Sequence, residues 1–257
     1  MHPAGDGHGV RMGRRYPRGI FLLPSLVTVG NLFCGYACIV YAMRGDLATA
    51  APFVGIAVVL DMLDGRLARM TNTTSAFGLE FDSLADVVSF GLAPAVLAFA
   101  WGLADLGRVG WAAGFLFVTA AAMRLARFNI QSAAQPDKRY FIGMPTPAAA
   151  GIPAATVFAF PYPATGLLQA AAAIAVVLIP AALMVSTIRF RSFKTINLGH
   201  SRSYMPVFAF AALIVLIAME PRVSLLVIAY GYLMSAFLGM VLARLRRREE
   251  PPPATSS

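Results

Sequence analysis

Eight apolar stretches, at about 19–43, 47–70, 78–102, 108–128, 145–163, 168–189, 204–220 and 222–243, alternate with short polar or basic connections along the chain. A helix needs roughly 20 mostly apolar residues to cross the hydrocarbon core of a bilayer. The pattern therefore predicts an all-α, polytopic membrane bundle of about eight transmembrane helices. Residues 1–18 and 244–257 are basic or proline-rich and read as disordered ends. The basic N-terminus followed by an apolar run has the outline of a signal peptide. The run from Ile20 is too long for one, however, and no small-residue cleavage site follows it, so it reads as a retained first span.

Acidic residues interrupt this pattern in one place. Between Leu47 and Asp61 lie only fourteen apolar-run residues, Leu47 to Leu60, so the second helix crosses only by continuing through Asp61 and Asp64 to about Met70. The third helix mirrors it, with an acidic opening, Gly78 to Asp86, ahead of a clean run from Val87 to Leu103. At about 100° per residue, Asp61, Asp64, Gly65, Ala68 and Arg69 share an arc of about 140°, and Gly78, Asp82, Ala85, Asp86 and Ser89 one of about 100°. Each helix thus offers one face of carboxylates and small side chains, with Arg69 on the second helix and Ser89 on the third. The stretch from Thr71 to Ala76 between them supplies several candidate N-caps for the third helix.

Composition strengthens the membrane reading. Of 257 residues, 58% are hydrophobic and 13% charged, with a mean hydropathy of +0.70; soluble domains average about 25% charged. The net charge of +9 does not point to nucleic acid, because of where the charge sits. Threading the chain alternately across a bilayer puts eighteen of its 21 Lys and Arg on the side of the termini and leaves only Arg44, Arg108 and Arg222 on the other. That asymmetry places both termini in the cytoplasm, with basic residues facing anionic headgroups. Cys34 and Cys38, four apart on one helix, suit packing rather than a disulfide. Trp101, Trp111 and Tyr162 read as interfacial anchors at the far side. His2, His8 and His200 have no partners at metal spacing.

Charges at membrane depth are costly enough to be functional by default, and four adjacent carboxylates cannot all stay ionised uncompensated. All-oxygen ligands suit Mg²⁺ or Mn²⁺, which keep waters and bridge substrate phosphates; two such ions balance Asp61, Asp64, Asp82 and Asp86. Gly65 and Gly78 leave room for a bulky ligand, and Arg69 can hold a phosphate oxygen. The residues by themselves point to a two-metal site for a lipid-bearing diphosphate. A proton or ion path in a transporter is the alternative from a different class, and a membrane isoprenoid transferase, whose acidic clusters are spaced differently, fits less well.

The run Asp61-x2-Asp64-Gly65-x2-Ala68-Arg69-x8-Gly78-x3-Asp82-x3-Asp86 resembles the complete signature of the CDP-alcohol phosphatidyltransferase family. Pro24-Ser25-x2-Thr28-x2-Asn31 is similar to that family's opening of the first span, with Ser25 in place of Asn. The segments Ser89-Phe90-Gly91-x2-Pro94, Arg124-x2-Arg127-Phe-Asn129, Phe141-x-Gly143-Met-Pro145-x-Pro147 and Arg191-Ser-Phe-Lys194 resemble its phosphatidylserine synthase branch. The resemblance implies transfer of a phosphatidyl group from CDP-diacylglycerol to L-serine, releasing CMP. It implies that Asp61, Asp64, Asp82 and Asp86 hold metal and that Asp86 also takes the serine proton. Gly65, Ala68, Arg69, Ser75 and Gly78 would surround the CDP moiety, with Ser25 and Thr28 at its edge. It further implies a homodimer and a six-helix core, here 19–189, followed by a basic loop and two additional helices over 190–243.

Arg124, Arg127, Asn129, Arg189, Arg191 and Lys194 lie at cytoplasmic helix ends, where topology and lipid headgroups account for them equally well. Arg127, Asn129 and Lys194 are the candidates for the serine contacts. Another acceptor alcohol, such as glycerol 3-phosphate, an inositol phosphate or choline, is compatible with the same catalytic run. Nineteen arginines against two lysines suggest a bacterial plasma membrane.

Overall fold

In a computed structural model of the chain, residues 22–71, 75–134, 140–162, 166–186, 189–191 and 205–249 are described. Eight helices account for nearly all of them. They are α1 (Leu22–Met43), α2 (Leu47–Thr71), α3 (Ala76–Leu106), α4 (Arg108–Ala134), α5 (Thr146–Ala159), α6 (Leu167–Val185), α7 (Met205–Met219) and α8 (Pro221–Glu249). Each predicted apolar segment overlaps one of them, and α3, α4 and α8 run several residues beyond theirs. The helices α1, α2, α3, α4 and α6 are long and apolar enough to cross a membrane, and α5 is a shorter apolar helix. The protein is a multi-pass helical membrane bundle.

Two secondary-structure elements depart from the sequence expectation. A short antiparallel ribbon pairs β1 (Tyr140–Ile142) with β2 (Arg189–Arg191), with Phe141 opposite Phe190. And α8 continues through Glu249, into the stretch from Arg244 assigned to a disordered tail. Ala243 to Glu249 are strong helix formers, and the first breaker is Pro251. Residues 1–18, Lys194 and the histidines lie outside the described residues.

Local chemistry sets the helix ends near the site. The α1–α2 turn closes on Gly45, at φ +78°, whose amide bonds the Ala42 carbonyl at 3.0 Å; a side chain there would be strained. Asp46 caps α2, its Oδ1 accepting from the Thr49 amide at 3.1 Å. Ser75 caps α3, accepting from the Gly78 amide at 3.0 Å.

The central helix is α3. In its apolar window 61% of residues are buried, against 33–39% in the other four long helices. It is not regular: Val87–Leu92 and Phe99–Leu103 are π-helical turns flanking Ala93–Ala98. Pro94 has no amide to donate to Phe90, and its ring crowds that carbonyl, so the wider turn ahead of it relieves the clash. π-turns of this kind recur at functional sites.

Small residues let the helices approach closely. Gly35 of α1 lies against Ser89 of α3, where an added Cβ would come 2.8 Å from the Ser89 Cα. Ala50, Ala57, Ala93, Ala98, Ala149 and Ala150 are completely buried between helices. Large apolar side chains such as Leu26, Phe33, Phe115 and Leu116 point outward, as a lipid-facing surface requires. Trp111 and Tyr162 are exposed in the manner of interfacial anchors. Trp101 is not. It is buried, and its Nε1 donates to the Phe160 carbonyl at 2.8 Å, closing the C-terminal end of α5.

Candidate active site

Asp61 and Asp64 sit near the end of α2, and Asp82 and Asp86 in the first part of α3. The two acidic faces meet. One ligand oxygen from each of Asp61, Asp64 and Asp82 can be chosen so that all three lie within 4.8 Å of one another. Asp64 is buried, with Asp61 and Asp82 half-buried. Among the described residues the Asp82 Oδ1 has no hydrogen-bond partner despite its burial. A cluster of anionic oxygens at this spacing, one of them buried and unpaired, fits a hard divalent cation.

The first helix supports this cluster from behind. Thr28 and Asn31, three residues apart and so on one face of α1, each reach a different helix of the acidic hairpin. The Thr28 hydroxyl donates to Asp64 Oδ2 at 3.1 Å, and Asn31 Nδ2 donates to Asp86 Oδ1 at 3.1 Å. Ser89 then fixes Asn31, its hydroxyl donating to the Asn31 carbonyl at 2.9 Å. Asp86 therefore stands beside the tight trio, oriented by α1. Thr28, expected at the edge of the nucleotide, has its hydroxyl on a carboxylate of the trio.

Asp61, Asp82 and Asp86 line one wall of a cavity of about 300 Å³, completed by Leu79 and Ser83 of α3, Arg124, Leu125, Phe128 and Asn129 of α4, and Pro145, Thr146 and Pro147 at the start of α5. Arg124 is buried; its Nε donates to the Met144 carbonyl at 3.1 Å, and its guanidinium lies 5.0 Å over the Phe128 ring. Asn129 Nδ2 donates to Ser83 Oγ at 2.8 Å, and the Ser83 hydroxyl in turn donates to the Leu79 carbonyl at 2.9 Å. The segment opening α5 is held by close backbone fit. Gly143 is at φ +81°, and an added Cβ would come 2.6 Å from the Met184 carbonyl. Next to it the Met144 amide bonds the Leu183 carbonyl at 3.0 Å.

The remaining predicted residues distribute around this core. A Cβ at Gly65 would meet nothing within 4 Å among the described residues. Ser75 and Gly78 are joined as the α3 cap, Ser75 exposed. Ser25 is half-buried on α1. Ala68 and Arg69 belong to α2, and their side chains fall outside the described residues, as does Lys194. Arg127 donates through Nη1 to the Val185 carbonyl at 3.2 Å, a contact between α4 and the end of α6, and it does not line the cavity. Of the cavity residues, Arg124 belongs to the basic cluster at cytoplasmic helix ends but not to the three serine candidates, and Thr146 falls at an unspecified position of the segment over 141–147; Arg124 stands one helical turn before Arg127 and Phe128.

Similarity to known proteins agrees with this geometry. The CDP-alcohol phosphatidyltransferase family profile matches residues 21–188, from α1 to just past the end of α6. A CDP-diacylglycerol–serine O-phosphatidyltransferase of Helicobacter pylori is 49% identical over 131 residues, covering 51% of this chain and 55% of the relative. The protein of that name from Bacillus subtilis is 36% identical over 125 residues, covering 49% of this chain and 69% of the relative. The one from Saccharomyces cerevisiae is 39% identical over 139 residues, covering 49% of each. The chain thus spans about half the length of most of these curated relatives. With its family signature folded into one carboxylate-lined pocket, the chain belongs to the CDP-alcohol phosphatidyltransferase family.

Proposed function

We propose that the protein transfers the phosphatidyl group of CDP-diacylglycerol to the hydroxyl of L-serine, giving phosphatidylserine and CMP. The observation that carries this reading is the convergence of Asp61, Asp64 and Asp82 to within 4.8 Å beside a cavity that Asp86 also lines. The names of the relatives, all serine transferases, support the choice of acceptor.

Asp61, Asp64 and Asp82, with Asp86, would hold Mg²⁺ or Mn²⁺, two ions balancing the four charges. Bound there, the metal would polarise the diphosphate and neutralise the charge growing on CMP. Asp86 acts as general base: it takes the proton as the serine oxygen bonds to the phosphorus bearing diacylglycerol and the bond to the CMP oxygen breaks. Asn31 holds one oxygen of Asp86 and so sets the direction of the carboxylate. The open space at Gly65, with Ser25, Ala68, Arg69, Ser75 and Gly78, accommodates the CDP moiety.

The helices α1 to α6 form the catalytic core, with α7 and α8 as additions, in a homodimer in a bacterial plasma membrane. The site faces the cytoplasm, where serine arrives from water while the acyl chains stay in lipid. The test is CMP release by purified protein given CDP-diacylglycerol, Mg²⁺ or Mn²⁺, and a panel of alcohols. Serine-dependent release that disappears in Asp86→Asn, with folding retained, supports the reading. Release with glycerol 3-phosphate, inositol phosphate or choline instead of serine keeps the chemistry and overturns the acceptor. Ion flux across proteoliposomes without CMP release overturns both.

A further inference from the structure

The cavity has two chemically opposite walls. Asp61, Asp82 and Asp86 form one; Arg124 and the start of α5, Pro145-Thr146-Pro147, form the other. Three features of the second wall converge on an anion. The Thr146 side chain is completely buried, and its hydroxyl has no partner among the described residues. An unpaired buried hydroxyl is costly, and natural structures keep few of them. The 14-residue helix α5 opens at Thr146 behind Pro145, with no side-chain cap on its first turn. The first turn of α5 lines the cavity and carries the positive end of the helix dipole there, although Pro147 contributes no amide. Arg124 adds a positive charge, its side chain held by the Met144 carbonyl and by Phe128.

We propose that this corner binds the carboxylate of the amino-acid acceptor, between the Thr146 hydroxyl, the Arg124 guanidinium and the N-terminus of α5, across the cavity from Asp86. The inference rests on the serine-transferase reading and says how the acceptor is recognised. It assigns the carboxylate to Arg124 rather than to Arg127, whose Nη1 is engaged by the Val185 carbonyl away from the cavity. It also gives a role to the segment from Gly143 to Pro147, which the strand pairing of Phe141 with Phe190 and the tight fit of Gly143 on Met184 hold in register. A carboxylate in this corner satisfies Thr146 and uses Arg124 in the planar geometry that guanidinium groups offer to carboxylates. An alcohol without a carboxylate leaves the Thr146 hydroxyl without a partner and gives Arg124 nothing beyond its contacts with Met144 and Phe128, which is how a polar pocket rejects a near-isosteric substrate.

The experiment compares L-serine with ethanolamine, which keeps the amine and hydroxyl and lacks the carboxylate. Thr146→Val preserves shape and removes the hydroxyl. It should raise the KM for serine roughly tenfold, shrink the preference for serine over ethanolamine by a similar factor, and leave the KM for CDP-diacylglycerol unchanged. Thr146→Ser should restore the wild-type values, and Arg124→Lys should erode the same preference. A merely structural role for Thr146 would not move the ratio of the two alcohols. An unchanged serine KM in a folded Thr146→Val protein overturns the proposal while leaving the serine reading intact. So does a rise in the KM for CDP-diacylglycerol instead, which would place a donor phosphate in the corner. Wild-type protein that releases CMP only with alcohols lacking a carboxylate overturns both this proposal and the serine reading.

Discussion

Asn31 on the first helix donates its side-chain amide to Asp86 on the third, 55 residues away, at 3.1 Å. Both side chains are buried, and Ser89, one turn beyond Asp86, bonds the Asn31 backbone, so the pair is fixed from two directions. Groups that orient an acidic ligand or base typically contribute 10–100-fold to affinity or activity. Asn31→Leu, of similar volume but without the amide, should therefore lower kcat roughly 10–100-fold with little change in the KM for CDP-diacylglycerol. Steady-state CMP release measures this, and a kcat within twofold of wild type would reject the role.

Thr28 makes the equivalent contact with Asp64. Its removal should be felt at the metal rather than at the acceptor. Thr28→Val should raise the Mn²⁺ concentration giving half-maximal activity roughly tenfold, and Thr28→Ser should largely recover it. A metal dependence unchanged in the valine variant would show that the hydroxyl does nothing for the carboxylate cluster.

The approach of α1 to α3 at Gly35 and Ser89 leaves no room for a methyl group. Gly35→Ala forces the two backbones apart, an overpacking that typically costs about 1–3 kcal/mol. The melting temperature in detergent should fall, and activity with it, because the same separation draws Asn31 away from Asp86. By contrast Gly55, which has nothing within 4 Å of its missing Cβ among the described residues, should accept alanine with no loss. Equal effects at the two glycines would contradict the packing described here.

Much of this arrangement is legible in the sequence because a bilayer restricts what a chain can do. The fourteen apolar residues ahead of Asp61 cannot span alone, so α2 must carry its aspartates into the membrane, and helical spacing then fixes which side chains share a face. The eight apolar stretches map one to one onto helices for the same reason. What pattern could not supply is how non-adjacent helices meet. Nothing in the spacing of Thr28 and Asn31 says that one reaches α2 and the other α3. Arg124 and Arg127 look alike in sequence, and only the packing of α4 against α5 and α6 turns one into the cavity and the other onto a backbone carbonyl. The ribbon between β1 and β2 joins segments about fifty residues apart and carries no turn signal. The continuation of α8 past Arg244 was masked by a charge run that suits a helix C-terminus as well as it suits a solvated tail.

The central claim is that carboxylates from two neighbouring helices jointly hold the metal, and Mn²⁺ binding followed by electron paramagnetic resonance on the purified protein tests it most directly. Wild-type protein should bind Mn²⁺, and Asp61→Asn on α2 and Asp82→Asn on α3 should each weaken binding by at least tenfold while both variants keep their helical content. Binding that survives unchanged when either helix loses its aspartate would mean the two acidic faces do not share a metal site.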